Sequence, residues 1–281
     1  LKGSGPDGRI VRRDVEAALR ERRPAAAPGG AAGERVAPVA AAGRREPAVP
    51  VARGEAGSEV PHSKLRRAIA ARMSESKRTA PHFYTTAAVR MDESFRLKDA
   101  LALRDPESRV SVSHLIVKAA ALALERFPRV GGVFGEDRIR IPAEVHIGLA
   151  VAVEDGLVVP VLRDCDAKGL PEIAREAREL VDKVRRGKLA QDDLRGATFS
   201  ISNMGMFEIE QFAAIIAPPQ SAILAVGGTA DEPVVRDGRV VPGKVMRITL
   251  SADHRVIDGV LAAAFVVEVK RFLENPLALV L

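Results

Sequence analysis

Two short stretches of this chain carry residues whose types and spacing can do chemistry. The first is Ser251-Ala252-Asp253-His254-Arg255-Val256-Ile257-Asp258-Gly259. Neutral imidazole is the usual general base near pH 7. His254 lies just past a segment in which Met246, Ile248 and Leu250 alternate with Arg247, Thr249 and Ser251. That alternation predicts a strand with one buried and one polar face. Asp258 stands where a helical pattern starts, so both groups sit on a loop between rigid elements, where catalytic groups tend to be. The same spacing has a plainer reading, in which Asp258 caps the helix and His254 is a surface-loop residue.

The second stretch is Thr198-Phe199-Ser200-Ile201-Ser202-Asn203. A strand period of two puts Thr198, Ser200 and Ser202 on one face and Phe199 and Ile201 on the other. Hydroxyls in a row beside the turn Asn203-Met204-Gly205 can donate hydrogen bonds to a developing oxyanion. They can equally be a solvated strand face.

Other chemistries find no footing. The sequence holds no G-x-x-x-x-G-K-[ST] phosphate loop, G-x-S-x-G elbow, H-E-x-x-H pair or Cys/His metal pattern, so no metal is expected. Cys165 is the only cysteine, which rules out an internal disulfide and points to a reducing compartment. Its neighbours Asp164 and Asp166 should raise the thiol pKa and make it a poor nucleophile.

The elements that must position these residues can be traced along the chain. Ser63 can cap a helix whose apolar face is Leu65, Ala68, Ile69 and Met73. Phe83 to Val89 reads as a strand, and Val112 to Arg126 as a mostly buried helix ending before Pro128. Val145–Val153 and Leu157–Leu162 are β-rich runs separated by Glu154-Asp155-Gly156, a hairpin signal. Pro171 opens a helix with Ile173, Ala177, Leu180, Val181 and Val184 on one face, and Gly187 closes it. Strands are expected at Ala197–Asn203, Ser221–Val226 and Lys244–Ser251, then a last helix carrying Leu261, Phe265, Val269 and Phe272. Helices mixed with adjoining strands predict an α/β sandwich around one mixed sheet.

The N-terminal part differs in composition. Residues 1–22 hold a Gly-rich turn and a short helical pattern capped by Asp14, too little to fold alone, so they read as the tail of a small domain that continues upstream. Residues 23–58 hold 5 Pro, 12 Ala and 6 Gly with no aromatic, the composition of a linker. Residues 59–281 form the globular part. Of the net charge of +6, residues 1–58 supply +4 (11 basic against 7 acidic), an unpromising distribution for nucleic-acid binding by the folded part. No run of 18 apolar residues occurs; the nearest, Val110 to Leu124, is broken by His114 and Lys118, so no membrane span is expected.

Taken together, these segments resemble the dihydrolipoamide acyltransferase family of 2-oxo acid dehydrogenase complexes. Lys2 to Ile10 with Asp14-Val15 is similar to the second half of the family's peripheral-subunit-binding domain, and the Ala/Pro linker is typical. Pro61 to Met73, Pro81-His82-Phe83-Tyr84, Gly156 to Val161 and Phe199 to Gly205 resemble catalytic-domain motifs, and Asp253 to Gly259 resembles the H-x-x-x-D-G active-site signature. The resemblance implies a chloramphenicol-acetyltransferase-like fold, a two-layer sandwich around a mixed sheet. It implies coenzyme A as a substrate, and lipoate carried on a lipoyl domain not found in this sequence. His254 would take the thiol proton, and the thiolate would attack the acyl thioester directly, with no acyl-enzyme. Ser202 would stabilise the oxyanion, with Ser200 as second choice, and Asp258 would fix the loop through an ionic contact. Implied partners are two further copies in a homotrimer, cubic 24-subunit or icosahedral 60-subunit shells built from such trimers, and the decarboxylase and dihydrolipoamide dehydrogenase subunits. The implied compartment is the bacterial cytoplasm or the mitochondrial matrix. Asn203 to Phe207 and Gln211 to Gly227 look most like the acetyl-transferring branch, with acetoin, branched-chain and succinyl branches and a non-catalytic scaffold as alternatives. Many relatives have asparagine where this chain has Ala217, so no role is carried over to that position.

Overall fold

The computed structural model describes residues 56–153 and 156–280. The small-domain tail expected at 1–22, nearly all of the linker at 23–58 and the turn residues Glu154 and Asp155 lie outside the described residues.

Ser63 caps α1 (Lys64–Thr79), its hydroxyl accepting from the Arg66 amide at 3.0 Å. The apolar face expected of this helix does not enter the core. Leu65 and Ala68 are exposed, Ile69 and Met73 half-buried, and only Ser76 is buried. The strand β1 (His82–Arg90) follows, then α2 (Asp92–Arg104) and α3 (Val112–Arg126), the last with the bounds its periodicity predicts. Pro128 then opens a single 3-10 turn, and a small hairpin, β2 (Val133–Phe134) and β3 (Ile139–Arg140), comes next.

The run from 145 to 162 forms the expected hairpin, but broken in the middle. β4 (Ile147–Leu149) and β7 (Val161–Leu162) pair in the main sheet, whereas β5 (Val151–Val153) and β6 (Gly156–Val158) pair in a separate one. Pro160 has no N–H to offer the ladder, and the Ala150 amide turns aside to the Ile201 carbonyl. α4 (Leu170–Arg185) begins with the expected proline and is followed by Gly187 at φ +63°.

β8 (Phe199–Asn203), β9 (Ala222–Arg236), β10 (Arg239–Asp253) and α5 (Gly259–Glu274) complete the domain. β9 and β10 run much further than their apolar cores suggest. Pro233 pairs with Pro242 across the ladder, and a proline in a run argues against a strand. The overlooked signal is Asp237-Gly238, both at positive φ, a turn that matches strand twist.

The main sheet has the order β1-β10-β9-β8-β4-β7, with β8 parallel to both β9 and β4 and the other pairs antiparallel, the mixed sheet expected. Its register divides it into two faces. Val89, Met246, Ile248, Leu250, Leu224, Val226, Phe199 and Ile201 share one face and join the core with α3 and α5, where Phe199 meets Phe265 edge-on at 5.5 Å. The opposite face carries Tyr84, Thr86, Thr249, Ser251, Ser200 and Ser202. The packed helices α3 and α5 cover the first face to give the two-layer sandwich, and the second face keeps a polar surface for chemistry.

Candidate active site

The hydroxyl row on β8 is not solvated. Ser200 is 1% and Ser202 8% exposed, which overturns the solvated-face reading. Gly148 on β4 stands opposite Ser200, and a Cβ there would meet Val159 Cγ1 at 2.6 Å and Ser200 Oγ at 3.0 Å, so only glycine fits. Ser200 Oγ has no hydrogen-bond partner among the described residues, a costly state for a buried hydroxyl. The strand end is anchored by Asn203, whose side-chain amide donates to Ser113 Oγ at 3.0 Å while its oxygen accepts from the Gly205 amide at 2.8 Å. The segment ahead of β9 is strapped to the polar face. Ile216 donates its amide to His82 Nε2 at 3.1 Å and accepts from Ser76 Oγ at 2.6 Å. His82 Nε2 must accept there, so its proton sits on Nδ1, which reaches the Ala80 carbonyl at 2.8 Å.

His254 is exposed, on the turn that leaves β10. Its amide donates to the Pro81 carbonyl at 3.0 Å, and its ring leans on Phe83 with centroids 4.7 Å apart. Asp253, 2% exposed, accepts from the Arg255 amide and Nε, both at 3.0 Å, and from Arg255 Nη2 at 2.7 Å. Its hydrogen bonds push the guanidinium pKa of Arg255 upward. The Asp253 carbonyl also accepts from the Val256 and Ile257 amides, and Arg129 Nε reaches the Val256 carbonyl at 2.9 Å. The histidine turn is therefore held from both sides.

Asp258 caps α5, accepting from the Leu261 amide at 2.8 Å. Within the chain its carboxylate plays the capping part that spacing suggested; the ionic contact implied by resemblance is not among the ion pairs of the described residues. Cys165 is fully buried, and its thiol is pushed up to about 12. Burial is the main cause, ahead of its acidic neighbours, so it stays inert for a stronger reason than its sequence context gave. Among the described residues no group of three or more His, Cys, Asp or Glu could hold a metal ion.

The decisive geometry is a separation. Ser202 pairs with Ala225 and Ala225 with Thr249, and His254 lies five residues beyond Thr249. With a rise of about 3.3 Å per residue and about 4.8 Å between strands, the two Cα atoms stand roughly 19 Å apart. Serine and histidine side chains cannot close such a gap, so the structure does not bring Ser202 and His254 of one chain together. Sequence reasoning missed the bracing residues Asp253, Arg255, Arg129 and Asn203. Only Asp253 and Arg255 had a signal, as opposite charges flanking the histidine.

A histidine on a braced turn and a buried hydroxyl row are the parts of a base-assisted transfer to a carbonyl carbon. The chain belongs to the family of 2-oxoacid dehydrogenases acyltransferase catalytic domains, matched over residues 54–281. It is 42% identical, over its whole length, to the dihydrolipoyllysine-residue acetyltransferase component of the mitochondrial pyruvate dehydrogenase complex of Schizosaccharomyces pombe, and spans 58% of that protein. Two solved structures each align with 80% of this chain and 94% of their own at 33% identity and a TM-score of 0.76. One is the dihydrolipoamide acetyltransferase of Azotobacter vinelandii, studied for the catalytic roles of a serine, a histidine and an asparagine. The other is the cubic core of the pyruvate dehydrogenase multienzyme complex.

Proposed function

We propose that this chain transfers an acetyl group between the dihydrolipoyl thiol and coenzyme A, in a site built where two copies of the chain meet. The observation that carries this reading is the strand register, which by standard sheet spacing sets Ser202 and His254 roughly 19 Å apart within one chain. In the Azotobacter enzyme the serine, histidine and asparagine stand at the same sequence separations as Ser202, His254 and Asp258 here. A serine and a histidine that belong to one site yet lie far apart in each chain must meet across an interface. A trimer satisfies this with identical contacts, each chain giving its histidine turn to one neighbour and receiving a serine strand from the other. The exposed Leu65 on α1 and Val260 on α5 are apolar surface for such contacts.

The imidazole of His254 accepts the proton of the incoming thiol. A free thiol has a pKa of about 8.5, so only a few per cent is thiolate at pH 7 without a base. The thiolate then attacks the thioester carbonyl carbon, and Ser202 of the neighbouring chain donates its hydroxyl to the resulting oxyanion. Collapse breaks the old carbon–sulfur bond, and the departing thiolate recovers the proton from His254. Asp258 holds the start of α5, and with it the far end of the histidine turn. Residues 1–22 would dock the peripheral subunits, and trimers would build the larger core. The test is transacetylation by the intact protein with acetyl-CoA and dihydrolipoamide, with succinyl-CoA and isobutyryl-CoA as competitors. Acetyl transfer should dominate; preference for either competitor would assign another branch, and no turnover at all would refute the reading.

A further inference from the structure

We propose that the Phe134 ring is a positioning element for His254, acting through Arg255 and Asp253; the inference rests on His254 being the base proposed above. Phe134 sits on the two-residue strand β2, close to the tight turn in which the Gly135 amide donates to the Arg138 carbonyl at 3.0 Å. Phe134 is 42% exposed, more than is usual for a phenylalanine. One contact accounts for that placement: the guanidinium carbon of Arg255 lies 4.1 Å from the ring centroid.

Arg255 is held edge-on by Asp253, whose two carboxylate oxygens receive its Nε and Nη2. A fork of this kind fixes the guanidinium in its own plane and leaves both of its faces free. Phe134 covers one face, which keeps water from the ion pair and stops the plane from rocking. His254 is the residue between the two members of the pair, so motion of Arg255 against Asp253 is motion of His254. The hairpin is itself well seated. A Cβ on Gly132 would meet Ile139 Cγ2 at 3.0 Å and Val256 Cγ1 at 3.3 Å, which shows how closely β3 and the histidine turn approach there. Arg129, just upstream, holds the Val256 carbonyl. The segment from Arg129 to Ile139 thus braces the turn at two successive residues, Arg255 and Val256.

The experiment compares Phe134→Leu, which keeps apolar bulk without a π face, with Phe134→Trp, which keeps the face, in the assembled protein. Phe134→Leu should lower kcat about tenfold, short of the roughly hundredfold that a misplaced catalytic group costs, with KM for acetyl-CoA unchanged within about twofold. Phe134→Trp should restore kcat to within about twofold of wild type, because tryptophan is the best cation-binding ring. Hydrogen exchange read on a peptide covering 253–257 should quicken in the leucine variant and not in the tryptophan variant, since four of its amides bond within the turn or to Pro81. Unchanged exchange and kcat in Phe134→Leu, a loss in KM alone, or a tryptophan variant no better than leucine would each overturn the proposal. The exchange arm needs no turnover, so it judges the brace even if wild type fails to transfer acetyl groups.

Discussion

Mixing two inactive variants tests the shared site directly. His254→Ala removes the base and leaves Ser202 intact; Ser202→Ala does the reverse. On the proposed reading, with the two residues roughly 19 Å apart in one chain, each site in a trimer would draw its histidine from one copy and its serine from the next. In trimers formed at random from equal amounts of the two variants, a site works only where a Ser202→Ala chain supplies the histidine and a His254→Ala chain supplies the serine. Each condition holds half the time, so about a quarter of the sites are whole. Each parent should retain about one hundredth of wild-type kcat or less. The refolded mixture should therefore exceed either parent by at least about 25-fold in the transacetylation assay. Mixed trimers verified with two affinity tags yet no more active than their parents would refute the argument, as would full activity in a demonstrated monomer.

Four further outcomes are expected. His254→Ala alone should lower kcat by about 10²–10⁴ with assembly kept; more than about a third of wild-type kcat remaining would remove the residue from the reaction. Ser202→Ala should cost about 10²–10³ in kcat with little change in KM. Ser200→Ala should cost less, and because it deletes a buried hydroxyl without a partner, it should leave the Tm unchanged or raised. A larger kcat loss from Ser200→Ala would mean the wrong hydroxyl had been chosen. His114 at the start of α3 is buried, and burial, helped by the Arg178 charge, lowers its pKa from 6.5 to about 4. Its stabilising contribution is complete above about pH 6.5 and declines as the pH falls to about 4, because only the unfolded chain takes up the proton in that window; the decline amounts to about 3 kcal/mol. His114→Gln should flatten the wild-type fall in urea midpoint across this window, and equal slopes in the two proteins would exclude the residue as a source of acid sensitivity.

Much of this protein is determined locally and is legible without coordinates. The caps at Ser63 and Asp258, the buried helix Val112–Arg126 and the alternation of β8 and β10 follow from hydrogen bonding and burial within a few residues. The heptad around His254 identifies the histidine because a family resemblance is also a local pattern. Other features depended on contacts far apart in the chain. The apolar stripe of α1 is weaker than that of α4 and stays outside the core, and periodicity alone sets which face is apolar, not what lies opposite it. Proline disfavours a strand locally, and only cross-strand pairing sets Pro233 and Pro242 opposite each other within β9 and β10. The brace from Phe134 to Arg255 joins residues 121 positions apart and has no periodicity to betray it. Most telling is the gap between Ser202 and His254. Their types are those proposed here for a base and an oxyanion donor, but only the register of β8 on β9 and β9 on β10 sets the span between them. Strand pairing is a non-local choice settled by the whole sheet, and here it sets the two residues of the proposed site at positions that one chain cannot join.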